Sequence, residues 1–466
     1  MKELNPVRAL MIGAGQRGAE VYGEYARRHP GQLRFVAVAE PDRQRLDNFS
    51  QAHQIPDNAQ FTDWQDLLTT GLPAEAAFVC TQDQMHTGPA MAAMQAGYHV
   101  LLEKPMATTE RECRELVDSA SSLGRQLHVA HVLRYSPHFQ TMRSILQSGV
   151  LGQIIHIAHA ENVSWWHMAH SYVRGNWRKT SASAPMILAK CCHDLDILLW
   201  LLQDSCSQLY SSGGLRHFRP ENAPPDAPER CLEGCPAAES CPFYAPFIYE
   251  TLTPFWRSLR DSTESKRYQY LFELRLRQSG MLDAMAKLLP DLRQVTEYQG
   301  WPVSVVSQQP GRENIRRALE TGPYGRCVYH CDNDVVDHQV VDLTFKSGIT
   351  ATLTMHGFSH LEGRTTRIQG SLGELQAFLG QGGGWIEICE HRSGHQTRYQ
   401  TGTDPARGHG GGDDGLMHAF VRSLQEEKSA KAQTLADQAL ASHLLAFSAE
   451  RSRLEQRVIN DPGNSS

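Results

Sequence analysis

The chain has 466 residues, enough for two domains and a large buried core. Its 45 basic residues against 51 acidic ones leave a net charge of -6 with no long basic run, which argues against a nucleic-acid partner. No apolar stretch approaches the ~18 residues that cross a membrane, and Met1-Lys2-Glu3-Leu4-Asn5-Pro6 leads into a strand without a signal peptide. A cytoplasmic protein with mostly reduced cysteines is therefore expected.

The first predicted strand, Val7-Arg8-Ala9-Leu10-Met11-Ile12, runs into Gly13-Ala14-Gly15-Gln16-Arg17-Gly18 and then a helix over residues 19–26. Three glycines alone would be weak evidence, but strand, glycine turn and helix in that order are what a dinucleotide site requires. Gly13 allows the tight turn, Gly15 lets the backbone approach a pyrophosphate, and Gly18 lets the helix pack close to the strand. The helix N-terminal amides, beginning at Gln16 and Arg17, meet the phosphate charge. A second strand over residues 33–39 ends at Glu40, an acid placed to accept hydrogen bonds from both adenosine ribose hydroxyls. Glu40 favours NAD over NADP; Arg17 or Arg43 holding a 2′-phosphate is the alternative.

Strands and helices keep alternating to about His131, the pattern of a doubly wound parallel sheet. A strand over residues 76–80 is followed by Thr81-Gln82-Asp83-Gln84-Met85-His86 and a helix over 89–96, which Gly97 stops. The next strand, residues 98–102, exits into Glu103-Lys104-Pro105, which sets an ammonium at the carboxyl edge of the sheet, where open α/β folds bind ligands. Residues 1–131 form the expected NAD(P)-binding domain and 132–466 a second, α+β domain. Its sheet is expected to be antiparallel, because residues 340–345 and 349–355 read as a hairpin turned through Lys346-Ser347-Gly348. Residues 430–457 read as a long final helix, 460–466 as a frayed tail, and Gly408 to Asp414 as a turn whose acid caps the helix after it.

Trp166, His167, His170, Tyr172, Arg174 and Asn176 form the expected substrate wall, because sugars present apolar ring faces beside many hydroxyls. An aromatic core with a polar edge is the competing account. Residues 205–330 read as an insertion, and within it Cys231, Cys235 and Cys241 suggest a structural metal. Zinc or an iron–sulfur cluster would need a fourth ligand, for which Cys206, His217, Cys327 and Cys331 are candidates. Free buried thiols are the alternative.

These motifs, with Arg134-Tyr135-Ser136-Pro137, Trp177-Arg178 and Cys192-His193-Asp194-Leu195-Asp196, resemble the Gfo/Idh/MocA family, named for glucose-fructose oxidoreductase and inositol dehydrogenase. The resemblance runs in order from about residue 7 to 200 and resumes faintly over the hairpin and Gly370-Ser371-Leu372-Gly373. It implies a Rossmann domain, a second domain with a large, open, mostly antiparallel sheet, and homo-oligomers, dimers or tetramers, formed through that sheet. It also implies hydride exchange between NAD(P) and a sugar or cyclitol, a cis Lys104–Pro105 bond, and a cofactor site that includes Thr81, His86, Glu103, Lys104, Trp177 and Arg178.

Oxidising a secondary alcohol requires a base within reach of the hydroxyl proton. His193 is the candidate, because imidazole titrates near neutrality; Lys104 would orient the hydroxyl or share its proton. Asp194 and Asp196 suit the positive end of the helix that begins there, and Asp196 reads as structural. One departure stands out: relatives of the inositol dehydrogenase type carry an aspartate four residues before this histidine, where the chain has Ala189, followed by Lys190. Two cations facing one site would depress a lysine pKa or recruit an anionic substrate group. Besides a dehydrogenase, the pattern therefore admits an NAD-dependent glycoside hydrolase that oxidises transiently and eliminates. A sugar sensor without turnover is opposed by the intact Lys104 and His193.

Overall fold

In the computed structural model, residues 5–463 are described except for 264, 308, 310, 382, 402–407, 427 and 428. Apolar runs that need burial on both faces make the first sheet: β1 (Val7–Ile12), β2 (Leu33–Ala39), β3 (Gln60–Phe61), β4 (Ala76–Val79), β5 (His99–Leu102) and β6 (Leu127–Val129). They pair in the order β3-β2-β1-β4-β5-β6, all parallel. The order reverses direction beside β1, so the carboxyl ends of β1 and β4 open on the crevice where such sheets bind nucleotides.

The second sheet has nine strands in the order β14-β13-β12-β11-β7-β10-β9-β8-β15. At its centre β7 (Ile154–Ser164) runs parallel to β10 (Thr350–Ser359) and antiparallel to β11 (Gly363–Gly370). The expected hairpin joins β9 (His338–Phe345) to β10 through Gly348 at φ +88°. The remaining strands are β8 (Cys206–Gly214), β12 (Gly373–Gly380), β13 (Gly383–Glu390), β14 (Gln396–Thr401) and β15 (Ile459–Asn460). Along β7 the period-2 alternation sends Ile157, His159, Glu161 and Val163 inward, while Ala158 and Ala160 lie on the more open face. Between β8 and β9 the chain forms a run of short helices, from Ala245–Tyr249 to Arg312–Thr321.

The two halves have separate cores, and the end of the chain joins both. The helix Gly412–Gln425 returns to the first domain, where Leu416, Met417 and Phe420 are fully buried and Phe420 meets the Phe78 ring edge-on at 5.5 Å. The final helix, Ser429–Glu455, gives Ala436 and Ala439 to the first core and Leu445, Ala446 and Ala449 to the second. Gly411 precedes the first of these helices at φ +90°, and the acids after it sit in the first turn instead of capping it. There Asp413 pairs with Arg17 and Asp414 with Arg28, so tertiary ion pairs outweigh the local cap. Among the described residues no helix is long and apolar enough to cross a membrane.

Candidate functional site

The glycine loop is shaped by what a side chain would strike. At Gly13, with φ +92°, a Cβ would lie 2.7 Å from the Cys80 carbonyl oxygen, and at Gly18 it would lie 2.1 Å from that of Gly13. Gly15 differs: the nearest atom to its Cβ position is Arg45 Nη1 at 3.9 Å, so one side of its backbone is open. That opening lies at the start of the π-helical turn Gln16–Gly23, where helix N-terminal amides favour an anion. Glu40 is buried at the end of β2, where Oε2 accepts from Ala14 N at 2.7 Å and Oε1 from Asp42 N at 3.0 Å. Arg43 is exposed and paired with Asp47.

Arg17 turns from the loop into the protein. Its Nε donates to Glu103 at 2.5 Å and its Nη2 to Asp413 at 2.8 Å, and Tyr22 adds a hydroxyl donor to Glu103 at 2.5 Å. Burial alone would raise the Glu103 pKa, but Arg17 and Tyr22 hold it below the usual carboxylate range. The glycine loop, the end of β5 and the helix that begins at Gly412 are thus tied by one ion-paired group.

Lys104 leaves β5 with a cis bond to Pro105, and its Nζ donates to the Ala189 carbonyl at 2.9 Å. That carbonyl closes the short helix Met186–Ala189 just before Lys190 and the helix Cys192–Leu202, which carries His193 in its first turn. His193 is 4% exposed, and its Nδ1 lies 3.4 Å from Nδ1 of His131, so one ring donates and the other accepts. Burial, then Arg134 and Lys104, keep His131 neutral. Behind the Lys104 loop, His443 of the final helix accepts from Met106 N at 2.8 Å and donates through Nδ1 to Ala439 O at 2.7 Å. Asp196 is the bidentate partner of Arg134.

Lys190 does not have the environment expected from the sequence. Its Nζ faces Glu161 at 3.4 Å and Glu362 at 3.8 Å; burial alone would depress it, but these carboxylates, with Tyr172 beside them, push its pKa well above the usual value. The expectation of a depressed lysine is therefore corrected for Lys190, because carboxylates from β7 and from the residue just before β11 face it. Glu161 also pairs with Arg364, its cross-strand neighbour, at 2.5 Å, and Arg364 continues to Asp194 at 2.7 Å. Glu362 accepts from His167 Nδ1 at 2.5 Å and Ser164 Oγ at 2.7 Å, contacts that overcome its burial and hold its pKa at about 2.

Of the expected substrate wall, His167 and Tyr172 reach this charged group, and the others go elsewhere. Trp166 packs against Phe255 and Trp301, and His170 stacks on Tyr324 at 4.9 Å and bonds the Tyr249 hydroxyl. Arg174 is buried against Cys231 and the Phe243 carbonyl, and Asn176 is exposed. Of the two residues expected in the cofactor site next to this wall, the Trp177 indole donates to Asp83 at 3.0 Å, within the Thr81-to-His86 turn, and Arg178 pairs with Asp332. Within that turn the His86 ring lies between the carbonyls of Thr81 and Pro105, at 3.1 and 2.7 Å, and Thr81 Oγ1 donates to Met85 O. Among the described residues no three Cys, His, Asp or Glu side chains are gathered to hold one metal ion. Cys206 bonds Gln208 O, and His217 bonds Tyr329.

Glu161, Glu362, His131 and His443 were not picked out from the sequence. Glu161 had a signal, an acid at an inward position of an alternating strand, but β7 itself was not predicted. His443 had none, since only the fold brings residue 443 to residue 106.

Residues 7–131 match the family model described as "Oxidoreductase family, NAD-binding Rossmann fold", and residues 139–228 match "GFO/IDH/MocA C-terminal domain". The D-glucoside 3-dehydrogenase of Escherichia coli is 31% identical over 153 residues, 32% of this chain and 42% of that protein. A glycosyl hydrolase family 109 protein of Shewanella pealeana is 25% identical over 185 residues, 38% of this chain and 40% of that protein. The chain thus spans about two fifths of the length of these relatives. The aldose-aldose oxidoreductase of Caulobacter crescentus, solved with glycerol, shares the fold with a TM-score of 0.62 at 12% identity, covering 98% of this chain and 100% of that one.

Proposed function

The chain belongs to the Gfo/Idh/MocA family, and from that premise we propose an NAD-dependent oxidoreductase that exchanges hydride with a secondary hydroxyl of a sugar or cyclitol. One observation carries this reading: Lys104, at the carboxyl edge of the sheet that holds the open Gly15, reaches the turn that presents Lys190 and His193. The nicotinamide, when bound, supplies the hydride acceptor or donor. Gly13, Gly15, Gln16 and Gly18 hold its pyrophosphate, Glu40 the adenosine ribose, and Thr81, His86 and Trp177 flank the nicotinamide end. Arg17 and Glu103 brace the loop through their ion pair.

His193 takes the hydroxyl proton, with His131 orienting its ring, and Lys104 donates a hydrogen bond to the reacting oxygen. Lys190, kept cationic between Glu161 and Glu362, donates to the other hydroxyls, whereas the two glutamates, His167 and Tyr172 complete a polar floor. Homo-oligomers form through the open face of the large sheet.

The same charged group supports a second reading, redox-neutral glycoside cleavage. Elimination moves protons at more than one carbon, and Lys190, Glu161 and Glu362 supply more such groups than a simple oxidation needs. A panel of sugars and aryl glycosides with NAD, followed for NADH absorbance and aglycone release, separates the two. Stoichiometric NADH supports the dehydrogenase, aglycone without net NADH supports the hydrolase, and sugar binding with neither leaves a sensor and overturns both. Glu40→Ala should weaken NAD about tenfold, the worth of one lost hydrogen-bonding partner, with a smaller effect on NADP. Equal loss of both would undo the ribose assignment.

A further inference from the structure

A second concentration of reactive side chains lies beneath the helical segment. Cys231, Cys235 and Cys241 fall on a stretch held by turns, such as Cys241 N to Ala237 O at 2.8 Å. Beside it the strand-like contact of Arg230 with Arg326, with Cys231 N bonded to Gly325 O and Cys327 N to Glu229 O, brings in Cys327. These four cysteines, all free thiols, line one small void together with Arg174.

Arg174 makes this more than a group of buried thiols. It is 1% exposed, and its guanidinium donates to the carbonyls of Arg326 and Phe243 and approaches Cys231 Sγ at 3.5 Å. Its Nη1 has no hydrogen-bond partner, and no carboxylate pairs with it among the described residues. A buried cation without a counter-ion costs several kcal/mol, so an anion belongs in this void, and the ionisable groups that line it besides the Tyr244 and Tyr329 phenols are the thiols. Metal ligation deprotonates a thiol outright.

We propose that Cys231, Cys235, Cys241 and Cys327 ligate an iron–sulfur cluster, with Arg174 as its buried counter-cation. The thiols surround a void and no three of them meet at one ion-sized point, an arrangement that suits a cluster spanning its ligands better than a tetrahedral zinc ion. Cys235 and Cys241 are each followed by proline, as is the last ligand of bacterial ferredoxin runs. Two ferric and two ferrous ions with four inorganic sulfides are the co-reactants, which gives the dithionite-reducible state with no external oxidant: four Fe–S bonds to cysteine form while the four thiol protons leave to solvent. The cluster staples residues 231–241 to Cys327 and so closes the base of the helical segment between them. It also fixes Arg174, the last residue of the turn Met168–Arg174 that carries Tyr172.

The test is iron and acid-labile sulfide analysis, with visible absorption spectra, on the full chain purified without oxygen and reconstituted with iron and sulfide. About four of each per chain are expected, with a broad visible absorption that dithionite bleaches. Cys327→Ala and Cys241→Ala should lose at least tenfold in bound iron. Cys331→Ala should keep it, since that thiol bonds the Cys327 carbonyl and lies outside the void. Wild-type protein with no iron, or with one zinc in its place, overturns the proposal, as does loss of iron in Cys331→Ala equal to that in Cys327→Ala. Circular dichroism of each variant separates loss of the cluster from loss of the fold.

Discussion

At the glycine loop the decisive features are backbone positions: Gly13 and Gly18 leave no room for a Cβ, and Gly15 leaves open space. Around Lys190 they are side chains from separate elements, Glu161 from β7, Glu362 just before β11 and His167 beside them, with partly buried charges balanced against one another. The first arrangement reads one shape shared by every dinucleotide. The second is a pattern of donors and acceptors, whose parts can be exchanged if the charges still balance. Such a loop can be kept while the floor is rebuilt; here the carboxylates come from β7 and from the residue just before β11.

The largest effect is expected where the two sides meet. Lys104→Ala should lower turnover by about 10²- to 10⁴-fold, the range for a group that assists proton transfer. Thermal stability should barely change, because the ammonium bonds a single carbonyl. Unchanged steady-state kinetics would remove the lysine from the chemistry.

Next comes the charged floor. Lys190→Met leaves Glu161 and Glu362 facing each other with one cation fewer and should destabilise the fold by about 3 kcal/mol, the lower end for a broken buried pair, since Arg364 and His167 remain. In urea unfolding, adding Glu161→Gln should recover part of that loss, and strict additivity would show that the two groups do not interact.

A smaller effect separates the two kinds of glycine. Gly15→Ala should leave the melting temperature unchanged and weaken NAD about tenfold, because its methyl group enters the space taken by the pyrophosphate. Gly18→Ala should instead lose stability, since its methyl group meets the Gly13 carbonyl oxygen. The comparison fails if calorimetry and NAD titration give the two variants the same profile.

That contrast also explains what the sequence could tell. The parallel sheet, the tight packing at Gly13 and Gly18, and the placing of Glu40 and Lys104 just past strand ends were legible because local sterics and strand periodicity determine them within about a hundred residues. Lys190 was found but given the wrong surroundings, since nothing near it in sequence announces Glu161 or Glu362. The aromatic wall divided for the same reason: Trp166, His170 and Arg174 look alike as sugar ligands or packing groups until the helical segment that covers them is in place.

The smallest expected effect tests whether the end of the chain locks the halves together through His443. Its Nε2 accepts from Met106 N and its Nδ1 donates to Ala439 O, so protonation would put a hydrogen where the Met106 amide already points. Burial, with His131 nearby, lowers its pKa to about 3, against roughly 6.5 in an unfolded chain. The unfolded state thus binds a proton that the folded state refuses between those values. The stabilising contribution is complete above about pH 6.5 and is lost as pH falls towards 3, by about 1.4 kcal/mol per pH unit. His443→Gln removes the titrating group, so its stability deficit relative to wild type should shrink by about 1.4 kcal/mol between pH 7.5 and 5.5 in urea unfolding. A deficit that stays constant over that interval would mean that the ring is not held neutral, and that the Lys104 loop rests on the final helix by packing alone.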